Sequence, residues 1–116
     1  MNTVKDVLRS GNTAIGATAS LGSPVELLSD AGFDFLLFDT QHSPVGIKEL
    51  QYQVKAMKGK RASPIIRVAD NDQALICFAL DIGAKGIIVP MVNTKEEAED
   101  MVNYCKYHQD GIRSNA

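Results

Sequence analysis

The sequence predicts an α/β fold built on a parallel sheet, and three observations predict it. Short apolar or β-branched runs alternate four times with segments of helical periodicity. Glycine, proline or a capping polar residue stands at the joints. The run Phe33-Asp34-Phe35-Leu36-Leu37-Phe38 is too continuously apolar for a strand with one wet face, and it suits a strand covered on both. Strand alternating with helix implies parallel pairing through right-handed crossovers.

The elements follow in chain order. Residues 13–19 are small and β-branched and read as the first strand. Ser23-Pro24-Val25-Glu26 then reads as a helix start, with serine as cap, proline at the first helical position and glutamate three residues after the cap. Gly32 closes that helix, and residues 33–38 form the second strand. Ile47, Leu50, Val54 and Met57 recur at helical spacing. Lys55, Lys58, Lys60 and Arg61 gather at this helix's end. A solvated helix end whose charges answer the macrodipole accounts for them better than a nucleic-acid patch does. Residues 64–68 are the third strand. Asp70-Asn71-Asp72 opens the third helix, whose apolar face is read as Leu75, Phe78, Ala79 and Ile82, closed by Gly83. Residues 86–90 are the fourth strand. Thr94 and Glu97 stand at capping-box spacing before a fourth helix with a stripe of Ala98, Met101, Val102 and Cys105. Glu96, Glu97, Glu99 and Asp100 lie in its first turns, where carboxylates face the positive dipole end. Residues 110–116 read as a loop.

Composition narrows the function classes. The 116 residues are 45% hydrophobic, enough for the core of one domain. A net charge of −2 argues against a general nucleic-acid binder. Apolar runs are too short to span a membrane, and the polar N-terminus lacks a signal-peptide core. A cytoplasmic protein is the expectation. Cys77 and Cys105 fall on helices outside any CxxC spacing and read as reduced, buried thiols. His108, beside Asp110, reads as surface.

Ligands of parallel α/β folds meet the carboxyl ends of the strands. There the second strand delivers Asp39-Thr40-Gln41-His42 and the third delivers Arg67. A histidine held by an aspartate can serve as a general base. A neighbouring arginine can bind a carboxylate at two points or stabilise an enolate oxygen. Together they suit proton transfer on a small carboxylic or keto acid. Blander readings compete: His42 as an idle loop residue, Asp39 as a cap on the following helix, and Arg67 in a structural ion pair with Asp39 or Asp70. There is no glycine-rich phosphate loop, no nucleophile elbow, and no close His/Cys metal spacing.

"AGFDFLLFDTQHSP", "PIIRVADND", "ALDIGAKGIIVPMVNTKEEAEDMV" and "GIR", in this order, resemble the HpcH/HpaI aldolases, metal-dependent pyruvate aldolases built on a TIM barrel. The resemblance begins near Ile15, and residues 79–90 are its most specific block. It implies that His42 is the general base, working through a metal-bound water, that Asp39 is its partner, and that Arg67 contacts the pyruvate carboxylate or enolate. Gln41 lines the substrate side. It also implies retro-aldol cleavage of 4-hydroxy-2-oxo acids to pyruvate and an aldehyde, with a divalent ion (Mg, Mn or Co) chelating the oxo acid.

Three departures qualify what carries over. The family usually has glutamate before the histidine, where this chain has Gln41. Many members carry a tryptophan after the first strand, whereas this chain has none, and Thr18 or a neighbour stands there. The family's metal-binding Glu and Asp come from strands five and six, and four βα units fill residues 1–116. A TIM barrel needs eight units and about 250 residues. The expectation is therefore the N-terminal half of one (βα)8 domain, with metal ligands elsewhere and little aldolase activity of its own. Its two sheet edges and apolar interior would be covered by the rest of a longer chain of which this sequence is one part, which is the leading expectation, by a second chain that supplies the complementary half barrel, or by a second copy. A non-catalytic half-barrel module, and a lyase of citrate or malyl type, are the competing functions.

Overall fold

The computed structural model describes residues 2–114, so the final two positions of the expected terminal loop lie outside the described residues. Four strands, β1 (Gly16–Ala19), β2 (Phe35–Asp39), β3 (Ser63–Arg67) and β4 (Gly86–Ile88), form one sheet in the order β1-β2-β3-β4. Every pairing is parallel. Helices α2 (Val25–Ser29), α3 (Ile47–Ala56) and α4 (Gln73–Asp81) connect consecutive strands, and α5 (Lys95–Cys105) follows β4. A first helix, α1 (Thr3–Arg9), was not anticipated from the sequence. Its polar face masks the helical pattern.

Side chains alternate across a strand, so the two faces of this sheet are built separately. On one face Leu36 and Ile66 are 0% exposed, Phe38 1% and Val68 2%. They meet Leu50, Val54 and Met57 from α3, Ile76 and Ala79 from α4, and Val25 from α2, all buried. That layer is the core. The opposite face carries Thr18, Phe35, Leu37, Ile65 and Ile88, half-buried or exposed, and among the described residues no helix lies over it.

The N-terminal rim is tied by the one acid inside the apolar run. Asp34 is 7% exposed. Its carboxylate accepts the Ile15 N–H at 2.9 Å and meets the Arg61 guanidinium at 2.6 Å, joining the approaches to β1, β2 and β3. The Ile15 amide is the main reason its pKa lies below the ordinary carboxylate value, with Arg61 adding to it against the opposing effect of burial. Arg61 and Lys60, which pairs with Asp30 at 2.9 Å, are thus occupied structurally. Helix α1 docks at the same rim, where the Thr3 N–H donates to Ser63 Oγ at 2.9 Å and Asn2 Nδ2 donates to the Lys85 carbonyl at 2.9 Å.

Several local expectations shift. Ser23 does not cap α2: the cap position is Pro24, and Ser23 Oγ accepts the Ser20 N–H instead. Proline, with a fixed φ and no side-chain acceptor, ends the loop but leaves the helix uncapped. On α4 the buried stripe is Ile76 and Ala79, while Leu75 is 38% and Phe78 53% exposed. The segment QALICFALD is apolar nearly all round, so periodicity cannot choose its inner face and the sheet does. Helix α5 has no fully buried residue, and both cysteines are half-buried rather than buried. Burial still pushes the Cys105 thiol up, away from reactivity. The caps on α4 and α5 form as expected: Asp72 accepts the Leu75 N–H, Thr94 accepts the Glu97 N–H, and the Glu97 carboxylate reaches back to the Asn93 N–H.

Candidate active site

The carboxyl ends of β2 and β3 are in register, and that register makes the site. Asp39 stands directly opposite Arg67 across the ladder. Both belong to the uncovered face, so their side chains emerge side by side at the rim. Arg67 Nε donates to one Asp39 oxygen at 2.9 Å and Nη2 to the other at 2.6 Å. This is the two-point fork that the planar guanidinium makes with a carboxylate and that an ammonium cannot make.

The turn after β2 then closes on the same carboxylate. The Gln41 N–H donates to Asp39 Oδ1 at 2.9 Å, and the His42 N–H reaches it at 3.5 Å. The Thr40 backbone and hydroxyl both donate to the Arg67 carbonyl, at 2.9 and 2.8 Å. Loop 40–42 is therefore stapled to β3 and to Asp39. The Arg67 side chain holds the Asp39 carboxyl far below the ordinary range, against the opposing effect of burial and with help from the two loop amides. The Arg67 pKa is raised by the same bond.

The three residues singled out from the sequence thus share one rim, but one expected contact between them does not form. Asp39 was expected to hold the His42 imidazole. Among the described residues its side chain bonds to Arg67 and to loop amides, and not to that imidazole. The competing reading of Arg67, an ion pair with Asp39, is what the geometry shows. An arginine directly across the ladder is a better partner for a short, fixed carboxylate than an imidazole three residues on. His42 itself is exposed, and Gln41 half-buried. The signal for the pair was present in the strand ends, but only the inter-strand register discloses it.

The site is an open ledge. A cleft of about 520 Å³ lies at the other rim, between the ends of α3 and α4, lined by Val54, Met57, Pro64 and Ile82. Asp39, Gln41, His42 and Arg67 are not part of it. Among the described residues no group of three His, Cys, Asp or Glu side chains is placed to hold a metal ion. Asp39, the acid closest to the ledge, already has both oxygens on Arg67. These residues do not fit a divalent cation by themselves.

The family described as HpcH/HpaI aldolase/citrate lyase matches residues 18–116. The chain belongs to that family. It is 40% identical over 115 residues to a hydroxypyruvate/pyruvate aldolase of Roseobacter denitrificans, covering 97% of this chain and 45% of that protein. It is 39% identical over 114 residues to a 5-keto-4-deoxy-D-glucarate aldolase of Escherichia coli, covering 97% of this chain and 44% of that one. Among solved structures, an HpcH/HpaI aldolase from Desulfitobacterium hafniense superposes with a TM-score of 0.89 at 27% identity, covering 97% of this chain and 45% of its own. The citrate synthase SbnG superposes at 0.88 with 32% identity, covering 99% of this chain and 48% of its own. The chain spans less than half the length of the relatives it matches. Its four strands are thus about four of the eight βα units of a TIM barrel.

No helix among the described residues is long and apolar enough to cross a membrane.

Proposed function

We propose that this chain carries the substrate-anchoring part of a carbon–carbon lyase site, the N-terminal half of one (βα)8 domain that cleaves a 4-hydroxy-2-oxo acid to pyruvate and an aldehyde. One observation carries the reading. Asp39 engages Arg67 through Nε and one Nη2 hydrogen. A guanidinium has five N–H donors, so three remain, and they form its outer end. That end can receive the carboxylate of an oxo acid while Asp39 fixes its direction. Arg67 is the substrate-binding residue and Asp39 is a positioning residue. Gln41 borders the same ledge.

The bond-breaking step needs a base for the C4 hydroxyl. As the C3–C4 bond breaks, its electrons pass to the three-carbon fragment as an enolate, which then takes a proton at C3. His42 is the base in this reading, on a loop whose backbone Asp39 and Arg67 hold in place. The Arg67 positive charge stabilises the enolate's developing negative charge. Among the described residues no group of side chains is placed to hold the divalent ion implied for the family, and in this reading its ligands come from residues outside this chain. The 116-residue chain alone is expected to give negligible pyruvate release with added Mg or Mn, and robust turnover by it would refute this division of labour.

Pyruvate binding tests the anchoring role directly, by NMR titration of the purified chain. Arg67→Ala should abolish the shifts at the β2 and β3 rim, and Arg67→Lys should weaken binding by about tenfold, since an ammonium cannot keep the fork. Binding by Arg67→Ala that equals the parent's would overturn the proposal. Gln41, in the place of the family's usual glutamate, favours one second reading, a half barrel that binds oxo acids without turning them over. Restoring glutamate in the complete assembly separates the two, because only a catalytic site would change its pH–rate profile.

A further inference from the structure

The cleft at the N-terminal rim is a second built feature, and the candidate active site does not use it. Its volume is about 520 Å³, inside the range of small-molecule sites, about 300–1,000 Å³. Its lining runs from Gln51 to Lys85, across α3, the start of β3 and the end of α4. Its shape therefore owes nothing to the uncovered sheet face.

The floor of the cleft is apolar. Val54, Met57, Ala62 and Pro64 are buried there. The ends of α3 and α4 meet at Gly83, where a Cβ would stand 3.3 Å from Val54 Cγ1. The mouth is basic. Lys55, Lys58, Lys60 and Lys85 line it, against one acid, Asp81. Asp81 is already occupied: one oxygen meets Arg113 at 3.0 Å and the other accepts from the Cys77 thiol. Lys60 is held by Asp30 at 2.9 Å. Among the described residues the other three lysines pair with no carboxylate. The Lys58 N–H donates to the Lys55 carbonyl at 3.2 Å, so the winding of α3 continues and sets both lysines on one side. Lys85 lines the cleft from the approach to β4, its N–H fixed on the Pro64 carbonyl at 2.8 Å. The α3 macrodipole accounts for Lys55 and Lys58. It does not account for Lys85, which lies beyond the Gly83 turn that follows α4.

We propose that this cleft binds a phosphate monoester carried on an apolar or aromatic body. The body lies on Val54, Met57 and Pro64, and the phosphate meets Lys55, Lys58 and Lys85. An ammonium is a compact point charge without a fork. Three around one opening suit a tetrahedral group of about two negative charges better than a planar carboxylate. The apolar floor selects against free phosphate, which would leave that surface wet. The site lies at the rim opposite Arg67, so the proposal stands apart from the oxo-acid reading.

Naphthyl phosphate is the probe, titrated into the 116-residue chain and followed by amide and methyl NMR shifts. The expected result is saturable shifts at Val54, Met57 and Gly83, with none at residues 40–42. Lys58→Gln and Lys85→Gln together should raise the dissociation constant at least about tenfold. Both side chains are exposed, so the double variant should fold as the parent does. Lys95→Gln, on α5 and outside the cleft, should leave binding unchanged. Binding should weaken in about 1 M salt, where the screening length falls to about 3 Å. The absence of saturable shifts up to about 1 mM probe overturns the proposal. So do shifts that follow the Arg67 rim instead, full-strength binding by the double lysine variant, or inorganic phosphate or naphthoate that binds as tightly as the probe. Pyruvate is titrated separately. A chain that binds the probe but not pyruvate sinks only the oxo-acid reading, and one that binds pyruvate but not the probe sinks only this one.

Discussion

The two faces of the sheet are made by the same strands and meet very different surroundings. Phe38 and Ile66 point one way and are sealed under helices, at 1% and 0% exposed. Leu37 and Ile65, their immediate neighbours in sequence, point the other way and remain partly wet. The difference lies in what the connections can do: every right-handed crossover lays its helix on the same side. Local wiring therefore finishes one face and cannot reach the other. The face that wiring completes supplies stability. The face it leaves open ends, at its carboxyl rim, in the Asp39–Arg67 pair and carries the candidate chemistry.

The largest test of that contrast is a pair of truncations on adjacent residues. Ile66→Ala empties a sealed site and should cost about 2–5 kcal/mol. Ile65→Ala should cost only about 1 kcal/mol, because its side chain gives up less contact. Stability of both variants is read by urea unfolding. Equal losses would mean that the Ile65 face is covered as well as the Ile66 face.

Acid sensitivity comes next. The folded-state pKa values of Asp34 and Asp39 lie below the ordinary 3.8, Asp34 chiefly through the Ile15 amide and Asp39 chiefly through Arg67. A depressed carboxylate contributes stability that is fully present above its unfolded value and is lost as pH falls through that value toward the folded one. Stability should therefore decline from about pH 5 downward. The Asp34→Asn/Asp39→Asn double variant should be less stable at neutral pH and show a flatter acid limb. An unchanged limb in circular-dichroism melts would show that these two carboxylates do not hold the rims together.

The rims themselves differ. Asp34 secures the N-terminal rim, whereas Asp39 both secures the other rim and aims Arg67. Asp39→Asn should therefore weaken pyruvate binding several-fold, while Asp34→Asn leaves it unchanged at a pH where both fold. The smallest effect is expected at the surface. Lys95 and Glu99, 84% and 60% exposed, lie 3.7 Å apart on α5. Lys95→Ala should change stability by no more than about 0.5 kcal/mol, because exposed pairs are screened and entropically costly.

Much of this was legible in the letters. The four strands fall within a few residues of expectation because apolar runs bounded by glycine and proline are local signals. The caps at Asp72 and Thr94 were readable for the same reason. Ser23 was misread because a serine before a proline satisfies the capping pattern without the capping geometry. The inner face of α4 was read correctly at Ala79 and Ile82 but misread at Leu75 and Phe78, which are as apolar as the buried Ile76 that the reading left out. Helix α1 went unseen because seven mostly polar residues owe their place to Ser63 and Lys85, far along the chain.

By itself the sequence determined the alternation of elements, the parallel sheet they imply, the family likeness, and the identity of the polar residues at the strand ends. These depend on periodicity, turn chemistry and residue type, all of which act over a few neighbouring positions. The tertiary structure alone decided that Asp39 holds Arg67 rather than His42, and that Asp34 is a latch and not a flaw in a strand. Those outcomes depend on which residues, tens of positions apart, the ladder register sets side by side, and no local pattern records that distance.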